Sequence, residues 1–269
     1  PFAIMALNLE VASKLVYIDS KAASILTSPQ SPILLLPKKE NSPVSSYVSP
    51  GLDMDGIFLP YTALHYLILL ETKDKFLIMT SGNSHGKPMC IDEECAFKHL
   101  SSIVDYFLLH NREIVNRVDD SVLRFTDGEP MLLRRARGYA PTWIRLRFKL
   151  PKPVLAFGAE LQTAGAVAFD DKVILTQYIG DVDDIDVLDD MKKYMEYFMR
   201  VYNIDPCKSI IVVDKHPGYI SKELARYYAE TCGTKLFEVQ HHYAHALSVA
   251  ADLGYDPDSI GVAITIDGV

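Results

Sequence analysis

The second half of the chain alternates between short apolar runs and amphipathic segments, and this alternation restricts the possible folds most. From Val154, "VLAFG" predicts a strand, and "GAVAFDDKVILTQYIGD" predicts a hairpin that turns at Asp170–Asp171. The following segments predict a helix ("DIDVLDDMKKYMEYFMRVYNI"), a strand ("SIIVVD"), a helix ("YISKELARYYAETCG"), a strand ("KLFEVQ"), a His-rich helix and a strand ("IGVAITID"). The order βββαβαβ of the first seven of these elements favours one half of an RNase H-like (ASKHA) nucleotide-handling fold.

Residues 1–148 predict a separate mixed α/β domain. Apolar runs in "SPILLLPK" and "FLIMTSGN" predict strands, and "IRLRFKL" alternates as a strand with one wet face does. The segment "IDEECAFKHLSSIVDYFLLH" predicts a helix, because its apolar residues recur at helical spacing. That face comprises Ala96, Leu100, Ile103, Val104 and Phe107. The prolines of "LPKPV" predict a linker at 149–153, which leaves 154–269 as the second domain.

Composition excludes several classes of function. A net charge of -8 argues against wholesale binding to nucleic acid, which needs a basic face. The longest apolar runs are too short to cross a bilayer, and the chain has no leader, so we expect no membrane partner and a cytoplasmic location. The cysteines contain no CxxC pair, which favours reduced thiols. They are Cys90, Cys95, Cys207 and Cys232.

A histidine cluster opens the last predicted helix, in "VQHHYAHALSVAADLG". His241 and His245 are four residues apart, so they share a helix face and could grip one ion together. His242 points about 100° away and is a poorer candidate. Chance and helix capping are the alternatives. Asp267 ends the strand "AITID", and its carboxylate could complete a partial metal shell.

Two further loops follow apolar strands of the second half. Asp214 and His216 in "DKHPGY" come where open α/β sheets place their ligands, although a turn capped by Asp explains them too. Gly158 and Ala159 in "FGAEL" are small enough for backbone amides to approach a phosphate. A tight turn explains that pair equally well.

The first half carries two candidate phosphate-binding segments. In "MTSGNSHGKP", Thr80, Ser81 and Asn83 supply donors and acceptors beside two glycines, which suits a nucleotide or an acyl phosphate; an ordinary loop is the alternative. Downstream, Arg112, Arg117 and Arg124 suit phosphate oxygens, and the nearby Asp119 and Asp120 could hold Mg²⁺, with a surface ion-pair network as the alternative. In "LRRARGYAP", Arg134, Arg135 and Arg137 could close a polyanion pocket.

Taken together, these segments resemble the hydrogenase maturation carbamoyltransferase family, HypF. "PFAIMA", "SPILLL", "LPYTALHYLIL", "MTSGNSHGKP", "DYFLLHNREI", "RVDDSV" and "LRRARGYAP" follow the order of that family's YrdC-like domain. "LAFGAEL", "TQYIGD", "DKHPGYIS", "VQHHYAH" and "ITIDG" resemble the start of its TsaD-like (ASKHA) domain. The resemblance covers essentially the whole chain, and these two modules in this order are characteristic of the family.

The resemblance implies a specific chemistry. Such an enzyme converts carbamoyl phosphate and ATP into carbamoyl adenylate with release of pyrophosphate, with Mg²⁺ as the usual companion of ATP. It then passes the carbamoyl group to the C-terminal cysteine of the acceptor protein HypE, as the source of the cyanide ligands of NiFe hydrogenase.

The same resemblance implies roles for named residues. His241, His245 and Asp267 would hold a divalent metal, Zn²⁺ or Fe²⁺, and His216 and Asp214 would be catalytic. The implied nucleotide and phosphate contacts are Thr80, Ser81, Asn83, Arg117, Arg124, Arg135 and Gly158.

Departures from the family pattern limit these implications. The sequence lacks the family's acylphosphatase-like domain, its zinc-finger motifs, the first YrdC-like strands and the rest of the ASKHA-like domain, so we expect this fragment alone to be catalytically incomplete. Gln162 stands where the family usually has Lys. Two alternatives remain: a threonylcarbamoyl-adenylate synthase for tRNA modification, which needs a basic RNA-binding surface, and a non-catalytic nucleotide-binding docking module.

Overall fold

A computed structural model describes residues 2–84 and 86–267, which form two compact units. One unit comprises residues 2–82 and 108–139, and the second comprises the remaining described residues. Each unit contains a six-stranded sheet, which confirms the predicted α/β class. The predicted domain limits and the linker at 149–153 stay predictions. Among the described residues, no helix combines the length and the apolar character needed to cross a bilayer.

The first unit is a mixed sheet in the order β4-β1-β3-β2-β5-β6. Strands β1 and β3 pair in parallel, as do β2 and β5, whereas the other neighbours are antiparallel. The strands are β1 (Ala3–Ala6), β2 (Ile33–Pro37), β3 (Met54–Phe58), β4 (Phe76–Met79), β5 (Val122–Thr126) and β6 (Glu129–Arg134). The helices are α1 (Leu9–Leu15), α2 (Ser20–Leu26) and α3 (Ala63–Glu71).

Local sequence explains where these helices begin. The side chains of Asn8 and Asp19 accept hydrogen bonds from the first turns of α1 and α2, as good N-caps do. Both helices then bury their apolar residues against the sheet, where Leu15 and Leu26 join Leu34 of β2 in one core. That burial is the main source of stability for helices as short as these.

The second unit contains the elements that position the candidate site. Its sheet has the order β12-β11-β8-β9-β10-β7, and β8, β11 and β12 are parallel neighbours. Their carboxyl ends therefore lie at the same edge. The strands are β7 (Trp143–Arg145), β8 (Val154–Ala156), β9 (Ala166–Phe169), β10 (Lys172–Leu175), β11 (Ile210–Asp214) and β12 (Leu236–Val239). The helices are α4 (Glu93–Leu100), α5 (Ile185–Val201), a short 3-10 helix (Pro206–Lys208), α6 (Ser221–Cys232) and α7 (His241–Asp252).

Helices α5 and α6 close the core of this unit. The buried side chains of Met191 and Met195 recur at helical spacing along α5 and pack with Phe157 and Ile211. Helix α6 ends at Gly233, whose positive φ of 62° provides the left-handed C-cap that glycine adopts without strain. From β8 to β12, the predicted order of strands and helices is confirmed, including the hairpin at Asp170–Asp171.

In the described residues, one predicted strand is absent and one predicted helix is shorter than expected. The segment "IGVAITID" forms no strand, because no neighbouring strand pairs with Ile260–Asp267. The helix predicted from "IDEECAFKHLSSIVDYFLLH" is confined to α4, after which Ile103 and Val104 are exposed. Its eight residues, all of them described, contribute none to the core, and an unburied apolar face does little to extend a helix.

The expectation of reduced thiols is also wrong. Cys90 pairs with Cys95 and Cys207 with Cys232, with Cα separations of 5.4 and 4.7 Å. Both separations lie in the usual range for disulfides. The second bridge joins the 3-10 helix to the end of α6, a contact created by folding that spacing along the chain does not reveal.

Candidate metal centre and the surrounding loops

The candidate centre lies where β11 and β12 end. In the parallel ladder Asp214 is opposite Val239, and the amide of Lys215 donates to the carbonyl of Val239 at 2.8 Å. Helix α7 begins directly afterwards, with Gln240 as its N-cap. The sheet itself therefore brings Asp214 beside His241, the first residue of α7.

The structure brings the three predicted metal ligands together. Asp267 Oδ2 lies 2.9 Å from His241 Nε2 and 3.2 Å from His245 Nε2, and the two Nε2 atoms are 3.2 Å apart. All three residues offer ligand atoms within 4.8 Å of one another. His242 is not in this group, and its Nδ1 lies 2.9 Å from the side-chain nitrogen of Gln240.

The donor set fits a divalent transition metal. Two imidazole nitrogens and one carboxylate oxygen are the ligands that Zn²⁺ and Fe²⁺ commonly take in proteins. Two Nε2 atoms that face each other at 3.2 Å both point a lone pair inward unless one is protonated, and a cation satisfies both. The residues present therefore fit the metal that the sequence implies.

Asp214 supports the first of these ligands. Its side chain is 6% exposed, and its Oδ2 lies 2.5 Å from Nδ1 of His241. This contact places the ring proton on Nδ1 and leaves Nε2 free to bind a cation. The Asp214 hydrogen bond is also the main reason that the pKa of His241 is raised, while partial burial opposes the rise and Asp267 adds to it.

His216 is exposed but held in a defined orientation. Its backbone amide donates to Asp214 Oδ1 at 2.8 Å, and its Nδ1 accepts from the amide of Gly218 at 3.2 Å. The ring stacks on Tyr219 with a centroid distance of 4.2 Å. Because Nδ1 is an acceptor, Nε2 carries the ring proton and is the donor that His216 offers to a ligand.

Tyr219 belongs to the same surroundings, although sequence reasoning missed it. Burial raises the pKa of its phenol, and the carboxylates of Asp214, Glu160 and Asp267 raise it further. The phenol is therefore neutral and close to the acidic groups of the centre. Its position in "DKHPGY", three residues after His216, was the available signal.

Gly158 is explained by its turn. Its φ is 66°, and a Cβ there would lie 2.6 Å from Thr163 Oγ1, so no larger residue fits. Its carbonyl accepts from the amide of Asp214 at 3.3 Å. In the same loop, Gln162 has a positive φ of 47°, and its amide donates to Asp181 at 2.6 Å. A phosphate contact by Gly158 stays a prediction.

Lys222 is the residue beside the centre that sequence reasoning missed most clearly. Its side chain is 4% exposed, and its Nζ lies 2.8 Å from Oε1 of Glu238. The same amine donates to the carbonyls of Lys215 at 3.2 Å and His216 at 3.5 Å. The signal was its spacing, since Lys222, Ala225 and Ala229 share the buried face of α6.

The predicted phosphate-binding residues are divided between the two units. Thr80 and Ser81 follow β4 in the first unit and are exposed, whereas Asn83 belongs to the second, where its side-chain nitrogen donates to the carbonyl of Lys87 at 2.8 Å. Arg124 is exposed on β5, and its Nε donates to Thr126 Oγ1 at 3.2 Å. Arg117 and Arg135 are half-buried in the first unit.

Two arginines of the possible polyanion pocket, Arg134 and Arg137, form ion pairs within the first unit. Arg137 lies 2.7 Å from Asp120, donates to the carbonyls of Gln30 and Ser31 at 2.9 and 2.7 Å, and packs 3.5 Å from the centroid of the Tyr61 ring. Arg134 pairs with Asp119 at 2.9 Å. These two arginines hold loops of their own unit together, rather than lining a pocket for a polyanion.

Comparison with known proteins adds an independent finding. Residues 1–136 match the Sua5/YciO/YrdC family model, described as "Telomere recombination", and residues 149–252 match the model of the HypF Kae1-like domain. Similar curated proteins include the probable carbamoyltransferase HypF of Methanocaldococcus jannaschii, 38% identical over 100% of this chain, and the carbamoyltransferase HypF of Synechocystis sp., 36% identical over 100% of this chain. The chain spans about one third of these relatives, 34% of each.

Solved structures show the same likeness. The crystal structure of T. kodakarensis HypF superposes with a TM-score of 0.90 at 41% identity, over 95% of this chain and 33% of that one. A full-length HypF in a phosphate- and nucleotide-bound form superposes with a TM-score of 0.87 at 35% identity, again over 95% of this chain and 33% of that one. The chain therefore belongs to the HypF carbamoyltransferase family.

Proposed function

We propose that the protein is an ATP-dependent carbamoyltransferase of hydrogenase maturation. It converts carbamoyl phosphate, water and ATP into carbamoyl adenylate, with release of inorganic phosphate and pyrophosphate and with Mg²⁺ accompanying ATP. The carbamoyl group then passes to the C-terminal cysteine of a HypE-type acceptor protein in the cytoplasm, for cyanide ligand synthesis, and AMP leaves. The observation that carries this proposal is the convergence of His241, His245 and Asp267 on one point, beside Asp214.

In the proposed transfer site, His241, His245 and Asp267 hold a divalent cation, Zn²⁺ or Fe²⁺. When bound, such an ion supplies Lewis acidity that polarises the mixed anhydride of the adenylate. Asp214 keeps the proton of His241 on Nδ1, so that Nε2 stays a ligand. This makes Asp214 a supporting residue, a narrower role than the catalytic one expected from the sequence.

His216 keeps its proposed catalytic role, as a hydrogen-bond donor. Its Nδ1 is engaged by the amide of Gly218, so the proton on Nε2 is available to the oxyanion that develops when a thiolate attacks the carbamoyl carbon. Stacking on Tyr219 limits rotation of the ring and preserves that geometry.

The nucleotide and phosphate contacts complete the proposal. Thr80, Ser81 and Arg124 lie at the surface of the first unit, and hydroxyl and guanidinium groups are donors that suit phosphate oxygens. We assign the same phosphate-binding role to Asn83, Arg117, Arg135 and Gly158, each in its own unit.

The test is isotope exchange with the complete gene product that carries this chain. Labelled pyrophosphate should enter ATP only when carbamoyl phosphate is present, and threonine with bicarbonate should have no effect. Exchange that requires threonine and bicarbonate would instead identify a threonylcarbamoyl-adenylate synthase. Absence of exchange with either substrate would favour a nucleotide-binding docking module. A Thr80→Ala/Arg124→Met variant should lose the exchange, and Arg145→Met, a change of an exposed arginine on β7, is the matched control.

A further inference from the structure

Lys222 is a buried cation placed where a cation is unfavourable. It is the second residue of α6, and the N-terminus of a helix carries a partial positive charge. Its side chain is 4% exposed, so water contributes little to the solvation of its ammonium group. A buried lysine in such a position needs hydrogen bonds and an opposite charge to offset the loss of water. The partners of Lys222 therefore show which segments it connects.

The contacts of the Lys222 ammonium use all three of its protons. Glu238 Oε1 at 2.8 Å, the carbonyl of Lys215 at 3.2 Å and the carbonyl of His216 at 3.5 Å are the acceptors. Glu238 is the part-exposed partner, and Lys222 lowers the pKa of its carboxyl group. Glu238 therefore neutralises the positive charge of Lys222, and the same ammonium group donates hydrogen bonds to the backbone that follows β11.

Both groups of acceptors adjoin the candidate metal centre. The carbonyls of Lys215 and His216 directly follow Asp214 at the end of β11, and Glu238 precedes His241 by three residues at the end of β12. The contact between Asp214 and His241 spans this same pair of strand ends. The Lys222 amine thus connects the end of β11 to the end of β12. The distance between these two strand ends determines whether Asp214 contacts His241.

We propose that Lys222 is a positioning residue for the metal centre. Its ammonium fixes the ends of β11 and β12 relative to each other, and so holds Asp214 against His241. This inference rests on the proposed metal centre, but it concerns a residue that offers no ligand atom and reaches the metal through Asp214 alone.

Co²⁺ is a suitable probe, because its visible spectrum reports the ligand geometry. The experiment measures the dissociation constant and the visible bands of Co²⁺ in the whole chain, in Lys222→Met, in Asp214→Asn and in the double variant. Outer partners of metal-bound histidines contribute about 10- to 100-fold to affinity. We expect Lys222→Met to weaken Co²⁺ binding about tenfold and to shift the bands. In the Asp214→Asn background the same change should have little effect, since coupled residues are not additive.

Matched variants separate positioning from general stability. Lys172→Met removes a lysine that pairs with Asp171 at 3.0 Å in the hairpin, and it should bind Co²⁺ as the unaltered chain does. Glu238→Gln retains the buried amine and should show a smaller loss than Lys222→Met. Far-ultraviolet circular dichroism verifies folding. If only Glu238→Gln yields folded protein, an unchanged Co²⁺ affinity in that variant overturns the proposal.

The remaining outcomes distinguish this inference from the proposed function. If the unaltered chain binds Co²⁺ and Lys222→Met binds it equally well, the positioning role is wrong and the metal centre stands. If Lys222→Met loses the same affinity with and without Asp214, Lys222 acts through general stability and the proposal fails. If the unaltered chain binds no Co²⁺, the metal centre and the positioning role both fail.

Discussion

The end of the parallel strands in the second unit and the arginine-rich segment of the first unit use charged residues in opposite ways. In the second unit, β8, β11 and β12 deliver Asp214, His216 and His241 to one edge, because parallel neighbours end together. In the first unit, β5 and β6 are antiparallel, with Arg124 opposite Met131 and Arg134 opposite Val122, so the hairpin spreads its arginines along its length.

Strand direction therefore decides whether polar residues of a sequence meet in one site or remain spread along a sheet. Convergent strand ends make a site out of residues that are far apart in the chain, such as Asp214 and His245. Antiparallel pairing leaves residues that are close in the chain, such as Arg134 and Arg137, to bond the loops beside them. Four substitutions test this contrast.

The largest effect is expected from a ligand of the metal centre. His241→Ala should weaken binding of Zn²⁺ more than about 100-fold, because even the outer partners of such ligands contribute 10- to 100-fold. Competition with a chromophoric chelator measures this affinity. His242→Ala is the matched control and should leave the affinity unchanged, since its Nδ1 faces Gln240. Equal losses in the two variants would show that the histidines act as a diffuse cluster.

The next effect concerns stability in the first unit. Arg137→Met removes an ion pair, two hydrogen bonds to backbone carbonyls and a contact with the Tyr61 ring, so we expect it to lower the free energy of unfolding by about 2–3 kcal/mol. Arg124→Met, an exposed change on the same sheet, should stay within about 0.5 kcal/mol. Urea denaturation measures both values. If Arg137→Met lost pyrophosphate exchange but kept its stability, Arg137 would be a ligand-binding residue rather than a structural one.

A smaller effect is expected at the support of the first ligand. Asp214→Asn removes the carboxylate that keeps the His241 proton on Nδ1, and it should weaken Zn²⁺ binding about tenfold. The same competition assay applies, with Asp171→Asn in the hairpin as the control. Unchanged affinity in Asp214→Asn would mean that the strand ends alone orient the ring.

The smallest effect concerns an exposed ion pair of the second unit. Lys87 Nζ lies 2.6 Å from Asp184, and this hydrogen bond is the main reason that the pKa of Asp184 is lowered from its ordinary 3.8 and that of Lys87 is raised. A carboxylate with a lowered pKa stabilises the fold above the unfolded pKa and loses that contribution as the pH falls through the folded pKa. A lysine with a raised pKa keeps its contribution until the pH rises past its ordinary 10.5.

Lys87→Met should therefore lower the urea midpoint slightly at neutral pH, and the difference should disappear as the pH falls below 3.8 and through the lowered pKa of Asp184. Lys87→Arg retains the charge and should show neither effect. If the difference in urea midpoint persisted in acid, Lys87 would act through packing rather than through its ion pair with Asp184.

The sequence predicted much of the second unit because its patterns are local. The apolar run of β11, the helical spacing of α5 and the glycine that ends α6 each specify their element without reference to the rest of the chain. His241 and His245 could be paired for the same reason, because a four-residue spacing on a helix fixes their relation.

The parts that the sequence did not predict depend on contacts between distant segments. The support that Asp214 gives to His241 follows from the pairing of β11 with β12, and the burial of Lys222 follows from what α6 packs against. The pairing of Cys207 with Cys232 needs the end of α6 to return to the 3-10 helix. In the first unit, the spacing of the arginines indicated phosphate chemistry, but only the positions of Asp120 and Tyr61 show that Arg137 is already engaged.

The pairing of Asp214 with Val239 makes the geometry of the candidate metal centre depend on the register of β11 and β12. A slip of one residue between β11 and β12 moves one strand along the other by about 3.3 Å and turns alternate side chains to the opposite face. Asp214 would then face away from His241, and the first ligand would lose its support. If the proposed metal centre binds its ion, tight binding would therefore report that these two strands have aligned in the right register, and a chain with the wrong register would be recognised by its weak metal binding.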